Sequence, residues 1–482
     1  MRRLLLLSVM VAACQAHPGA SGHDARIARV IENLQGPVVV EGEPAIGMPL
    51  TDRMAHHRVP GVSLAVVEGG VLAWARGFGV REAGTTDMVT SETRFQAASI
   101  SKPVAVTGML RLVDAGRLDL DADVNTYLTS WRVPSSPFMV AEKVTLRRLA
   151  SHSAGLTVHG FPGYAADSTL PSVIQVLDGA RPANTGPVRL DTVPGARWRY
   201  SGGGTTVLQL VLSDLTAAAF TDFMAEQVLT PLGMHHSSYA QPLSSAWEAV
   251  AARGHRADGT MVPGRWHTYP EQAAAGLWTT PSDLMRWALG VDASRRGAPG
   301  AILAPASAQQ MLTVQAGSFG LGPMLTNTGD SLRFSHGGAN AGYRAEVVFF
   351  PATGQGAAIM TNGDNGSALI QEILLALATE YRWPGFGPKT VTRAPVSTAD
   401  LAAPAGDYLV RTPTQSATIA FRMESGALVL DIPLLGVAGD VLVPLAKDRF
   451  ISLAHGAEFS FRADTVLWQA GPGTVLTGVR VR

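Results

Sequence analysis

The sequence predicts an α+β chain. An antiparallel sheet built from both ends of one large domain is flanked by helices and carries a helical subdomain, and a small C-terminal antiparallel β domain follows. Three observations predict this. Strand-like apolar runs cluster at 61–80 and again at 343–361, whereas helical spacing dominates between them. The composition shifts near residues 383–404, which are rich in Pro, Gly and Thr. Beyond that come seven short alternating runs, DYLVR, SATIAFRM, ALVLDI, DVLVPL, RFISL, EFSFR and TVLTGVRVR. With 482 residues, 46% of them hydrophobic and 16% charged, the chain has material for a large core and is not globally disordered.

The elements follow in order. Arg2-Arg3 precede the apolar stretch Leu4 to Ala13, which is too short for a bilayer span but fits the h-region of a signal peptide over residues 1–13. The only cysteine, Cys14, follows Val11-Ala12-Ala13, a string that resembles a bacterial lipobox. That implies an exported envelope lipoprotein held to a membrane through Cys14, with residues 14–24 as a tether. The alternative is an ordinary leader cleaved near Ala13 or Ala16. No later stretch reaches the length of a membrane span.

The main domain is expected over 25–383. Residues 61–80 form two strands around Gly69-Gly70, a hairpin signal. Residues 102–115 have helical spacing and stop at Gly116. Helices are also expected at 205–219 and 281–290, the second capped by Thr280 or Ser282. Residues 343–361 form two strands joined by a Pro-Ala-Thr-Gly turn, and a helix follows near 367–380. A linker is expected over 384–404 and a β-rich domain over 405–482.

Several chemistries are excluded. Lys+Arg and Asp+Glu are 38 each, so no basic field invites nucleic acid. One cysteine leaves no disulfide framework, Fe–S cluster or Cys-rich zinc site. There is no GxSxG, no P-loop, no GxGxxG opening a helix and no HExxH, so neither cofactor nor metal is expected.

The chemistry that is present begins at Phe95-Gln96-Ala97-Ala98-Ser99-Ile100-Ser101-Lys102-Pro103. Ser99 and Lys102 stand three apart at the mouth of a helix, so one turn puts them on the same face. A serine there is a candidate nucleophile, because the amine can take its proton when neutral. The helix N-terminus adds N–H groups for an oxyanion. Pro103 fits only within the first turn of the helix. Alone, Ser-x-x-Lys is a weak signal. Two further segments accompany it: Tyr200-Ser201-Gly202, before a glycine-rich turn and a helix, and His336-Gly337-Gly338, just upstream of the 343–361 strand pair.

This ordered set resembles the serine β-lactamase and penicillin-binding-protein superfamily, in particular its class C β-lactamase-related branch. That branch includes D-alanyl-D-alanine carboxypeptidases, D-aminopeptidases and family VIII esterases. The supporting stretches are Val144–Leu156, Pro231–Met234 and Ala275–Asp283. The resemblance implies a β-lactamase/transpeptidase-like fold and, at the C-terminus, a lipocalin-like domain. It implies acylation of Ser99, proton transfers shared by Lys102 and Tyr200, and His336 where many relatives carry the lysine of Lys-Thr-Gly. The oxyanion hole would use the N–H groups of Ser99 and Ala339, with Gly202, Gly337 and Gly338 lining the substrate. Which group is the acylation base stays open.

Gly202 stands where relatives have an asparagine, and His336 replaces a permanent cation with a group mostly neutral near pH 7. Both departures weaken the case for efficient hydrolysis of an anionic β-lactam and fit a peptidase or esterase at least as well. The expected function is an acyl-enzyme hydrolase acting on small-molecule or peptide substrates: D-amino-acid peptides, esters or β-lactams. The alternative is a non-catalytic envelope protein that binds peptidoglycan or a partner through the same fold.

Overall fold

The computed structural model describes residues 18–44, 47–412, 416–435, 437–471 and 474–481. The expected leader and Cys14 lie outside these residues. The strands before the barrel are β1 (Val38–Val40), β2 (Gly61–Glu68), β3 (Val71–Gly79), β4 (Phe95–Gln96), β5 (Trp278–Thr279), β6 (Met324–Thr326), β7 (Arg333–Asn340), β8 (Tyr343–Phe350), β9 (Gln355–Thr361) and β10 (Lys389–Val391).

Six of them form one antiparallel sheet in the order β3-β2-β9-β8-β7-β6, so both ends of the large domain contribute to it. The β2–β3 hairpin turns at Gly69 and Gly70, both at positive φ, as the Gly-Gly pair predicts. Side chains alternate between the two faces. Val347, Phe349, Ala358 and Met360 pack against Ile100, Val104 and Trp287 of the helical layer. Val348, Phe350, Ala357 and Ile359 pack against Ile27, Leu369, Ile373 and Leu377. Each Val, Ile, Leu, Met or Phe among these contributes about 1.5–3 kcal/mol by leaving water.

The helix Ser101–Asp114 lies at the centre of the helical layer and is buried on every side from Ser101 to Leu110. It therefore has no polar face, and it ends at Ala115 before Gly116 in the left-handed region. The helix Pro281–Arg295 starts where Thr280 Oγ1 accepts the Asp283 N–H at 3.3 Å, with Pro281 in its first turn.

A third helix, Gly202–Thr216, begins three residues before its expected start and takes in the glycines read as a turn. Those glycines serve packing instead. A Cβ on Gly203 would stand 2.7 Å from the Thr157 carbonyl oxygen.

Two expectations outside the sheet are corrected. The tether expected over 14–24 overlaps the helix Pro18–Glu32, fastened to the domain by Asp24–Arg76, Arg26–Glu68 and Arg29–Glu380 ion pairs. The segment 384–404 is more than a linker. Its strand β10 pairs in parallel with β1 from the chain's other end, and a short helix, Thr398–Ala402, follows.

The C-terminal domain is a closed antiparallel barrel of eight strands: β11 (Gly406–Arg411), β12 (Ser416–Glu424), β13 (Ala427–Ile432), β14 (Val437–Ala446), β15 (Arg449–Ser452), β16 (Glu458–Arg462), β17 (Thr465–Gly471) and β18 (Thr474–Arg480). Each strand pairs with the next and β18 closes on β11. Seven were expected. The missed strand is β17, separated from β16 by only Ala463 and Asp464. Tyr408, Phe421, Phe450, Phe459 and Phe461 fill the interior, as an eight-stranded barrel allows. The barrel docks through Val443 and Ile451 on Val38, Val40 and Val391, with a Lys389–Glu458 ion pair beside them. Among the described residues no single helix is long and apolar enough to cross a membrane.

Candidate active site

Ser99 lies in a single 3-10 turn, Ala98–Ile100, that runs directly into the helix Ser101–Asp114. The turn is sharp: Ala98 has φ 49°, a strained conformation for a residue with a side chain. Three interactions hold it. β4 pairs with β5 and the Ala97 N–H donates to the Leu277 carbonyl at 2.8 Å, while Ser101 Oγ donates to the Ala98 carbonyl. Pro103 falls in the first helical turn, where its missing N–H costs nothing.

One turn along, Lys102 is 4% exposed and its Nζ donates to Ser99 Oγ at 3.0 Å and to the Ala274 carbonyl at 2.7 Å. The Ala274 carbonyl comes from the short helix Gln272–Ala275, so the segment before β5 orients the amine. The Tyr200 ring centroid lies 4.9 Å from the same Nζ. Ser201 caps the following helix, its Oγ accepting the Gly204 N–H at 2.9 Å, which fixes Tyr200 at the helix mouth.

The third predicted segment lies on β7. Asn340 Nδ2 latches the strand to the site by donating to Gln96 Oε1 at 2.7 Å and to the Ala275 carbonyl at 3.1 Å. Only glycine fits at 338, because a Cβ there would stand 2.2 Å from the Ala97 carbonyl oxygen. His336 is buried and its Nδ1 lies 2.7 Å from the Gly337 carbonyl, so Nδ1 carries the proton and Nε2 presents a lone pair. That Nε2 is buried and has no hydrogen-bond partner among the described residues. Burial, and then the positive charge of Lys102, push His336 down to about 4. It is therefore neutral at pH 7, an acceptor where a lysine would be a cation.

Ser99, Tyr200, His336, Gly337, Gly338 and Ala339 line one cleft of about 440 Å³. The structure thus brings together the predicted residues, with one exception. Gly202 is buried, its N–H donates to the His159 carbonyl at 3.0 Å, and it does not line the cleft. Among the described residues no cluster of His, Cys, Asp and Glu could hold a metal.

Sequence reasoning missed several neighbours. His152 lies under Tyr200, ring centroids 4.2 Å apart, and its Nδ1 accepts the Ser201 N–H at 3.2 Å. Burial and the charge of Lys102 keep His152 well below the usual histidine range, so this ring too is neutral. Phe319 packs edge-on to His152 and His336 and is stacked by Trp198 at 5.4 Å. Trp198 is 41% exposed and forms the apolar wall of the cleft. Glu346 and Ser367 line its other side. His152 lies within the Val144–Leu156 stretch already singled out, and Trp198 stands two residues before Tyr200. Phe319 carries no local signal.

The arrangement has the parts for acyl transfer: a half-buried hydroxyl on the cleft bonded to an amine, a phenol beside that amine, and a strand edge next to a helix mouth. The profile of the Beta-lactamase family matches residues 50–380. Penicillin-binding protein 4 of Amycolatopsis lactamdurans is 28% identical over 371 residues, covering 72% of this chain and 93% of that protein. The D-alanyl-D-alanine-carboxypeptidase/endopeptidase AmpH of Escherichia coli K12 is 26% identical over 252 residues, 51% of this chain and 62% of AmpH. Among solved structures, the octameric penicillin-binding protein homologue from Pyrococcus abyssi superposes with TM-score 0.59 at 21% identity, covering 89% of this chain and 98% of that one. The D-amino acid amidase from Ochrobactrum anthropi SV3 gives TM-score 0.57 at 20% identity, over 74% of this chain and 99% of that one. At these identities the structures speak to the fold.

Proposed function

The chain belongs to the Beta-lactamase family, and from that membership we propose that it is a serine hydrolase working through an acyl-enzyme on D-amino-acid peptides, amides or esters. The observation that carries this is the 3.0 Å contact between Lys102 Nζ and the Oγ of Ser99, which lines the cleft. Ser99 Oγ attacks the substrate carbonyl, and its proton passes into the Lys102/Tyr200 pair. The N–H groups of Ser99 and Ala339 receive the oxyanion, and the proton is returned to the leaving amine or alcohol. Water then attacks the acyl-enzyme through the same groups.

The substrate class follows from what lines the cleft. Trp198 and Phe319 offer an apolar wall, while among the described residues no Lys or Arg lines the cleft and Lys102 is turned toward Ser99 and Ala274. His336, pushed down to about 4, supplies no positive charge near pH 7. A free substrate carboxylate therefore lacks a partner, which favours an amide or ester over an anionic β-lactam. The named activity of AmpH supports D-configured peptides as the class. The site is carried outside the cytoplasm, lipid-anchored through Cys14.

The deciding comparison is kcat/KM on a D-amino acid amide, its ester, its L-enantiomer, a D-Ala-D-Ala peptide and a chromogenic cephalosporin. Turnover of the amide, the ester or the D-Ala-D-Ala peptide above that of the L-form and the cephalosporin supports the assignment. Preference for the cephalosporin or for the L-form would overturn it.

A further inference from the structure

Glu346 pairs in register with Gly337 across β7 and β8, so its side chain stands on the face of the sheet where Gly337 has none. Its Oε2 lies 2.8 Å from where a Cβ on Gly337 would be. The side chain is partly exposed and lines the cleft. Among the described residues it has no hydrogen bond and no ion pair. Arg333, four residues back on β7, favours its ionised form from a distance but stacks on Phe386 at 4.6 Å instead of pairing with it. Burial without a partner pushes the Glu346 carboxyl up to about 7.

The edge beside it is open. β6 pairs with β7 only between Arg333 and Ser335, so among the described residues the outer edge of β7 has no strand neighbour from His336 onward, and Gly337 and Ala339 are exposed. An extended substrate adding to that edge would present successive side chains to opposite faces of the sheet. One face carries Tyr200 and His336. The other carries Glu346.

Resting on the hydrolase assignment above, we propose that Glu346 selects a substrate bearing an ammonium or guanidinium group on the residue that crosses Gly337, and rejects a carboxylate there. The unpaired carboxylate gains a partner only when such a cation arrives, whereas an acidic group would meet like charge in a half-buried site.

The test is a series of blocked D-dipeptides with lysine, norleucine or glutamate at either residue flanking the scissile bond, product release being followed by chromatography. At one of the two positions the wild-type protein should favour lysine over norleucine by about tenfold in kcat/KM at low salt, with glutamate last. Glu346→Gln should bring the lysine-to-norleucine ratio near one, and Glu346→Lys should invert the order. A ratio near one in the wild type, or one that survives in Glu346→Gln, overturns the proposal. Calorimetric titration of the Ser99→Ala protein with the same peptides separates it from the hydrolase assignment. Absent turnover with a retained lysine preference in binding supports the cation site alone, and equal binding of all three overturns it.

Discussion

A methyl group added at Gly338 would lie 2.2 Å from the Ala97 carbonyl oxygen, 3.1 Å from the Ala97 carbonyl carbon and 3.3 Å from the Ala98 Cβ. An unstrained carbon–oxygen contact needs about 3.3 Å, so β7 and the Ser99 turn must part by about 1 Å. Neither side yields easily. Ala97 is tied to Leu277 and β4 to β5, while β7 is held by β8 and by the Asn340 latch. Gly338→Ala should therefore cost about 1–3 kcal/mol of stability through overpacking. It should also separate the Ala339 N–H from Ser99, and a misplacement of about 1 Å at a reacting centre costs about 100-fold in rate. The assay is the single-turnover rate of Ser99 acylation by a chromogenic ester, with Tm followed by circular dichroism. Acylation at the wild-type rate with an unchanged Tm would refute the close approach of β7 to the nucleophile.

Two further outcomes are expected. Lys102→Arg should abolish acylation, because guanidinium stays protonated and cannot reproduce the compact contact with Ser99 and Ala274; the same single-turnover assay reads it, and retained activity would assign the base elsewhere. Glu271 is fully buried, neither carboxylate oxygen has a hydrogen-bond partner among the described residues, and burial raises it from 4.5 to about 7. A carboxyl whose folded pKa is raised costs nothing below the unfolded value, destabilises progressively as pH rises from the unfolded to the folded value, and costs a constant amount above it. Glu271→Gln should therefore gain on the wild type between pH 4.5 and 7, reaching at most about 3 kcal/mol at pH 8 in urea titrations. A pH-independent difference would contradict this.

Local chemistry was legible in the sequence. Ser99 and Lys102 met because three residues make almost one helical turn, and the β2–β3 hairpin and the Thr280 cap followed from Gly-Gly and Thr-Pro at fixed offsets. His336 was found by its glycines, although its neutrality depends on burial beside Lys102, which no local pattern reports. The misses share a cause. β1 and β10 are three residues each and pair across about 350 positions, so neither has a period to read. Gly202 and Gly203 looked like a turn because only the packed fold shows Thr157 and His159 pressing on them. Phe319 joins the cleft from a loop, and Glu346 became notable only when the register set it opposite Gly337.

In the proposed mechanism Ser99 is the nucleophile that carries the acyl group. Intact-protein mass spectrometry after incubation with a fluorophosphonate, followed by peptide mapping, tests it most directly. The wild-type protein should gain one probe mass on the peptide carrying Ser99, and Ser99→Ala should gain none. An unmodified but folded wild type, or an adduct of equal yield in Ser99→Ala, would contradict the account.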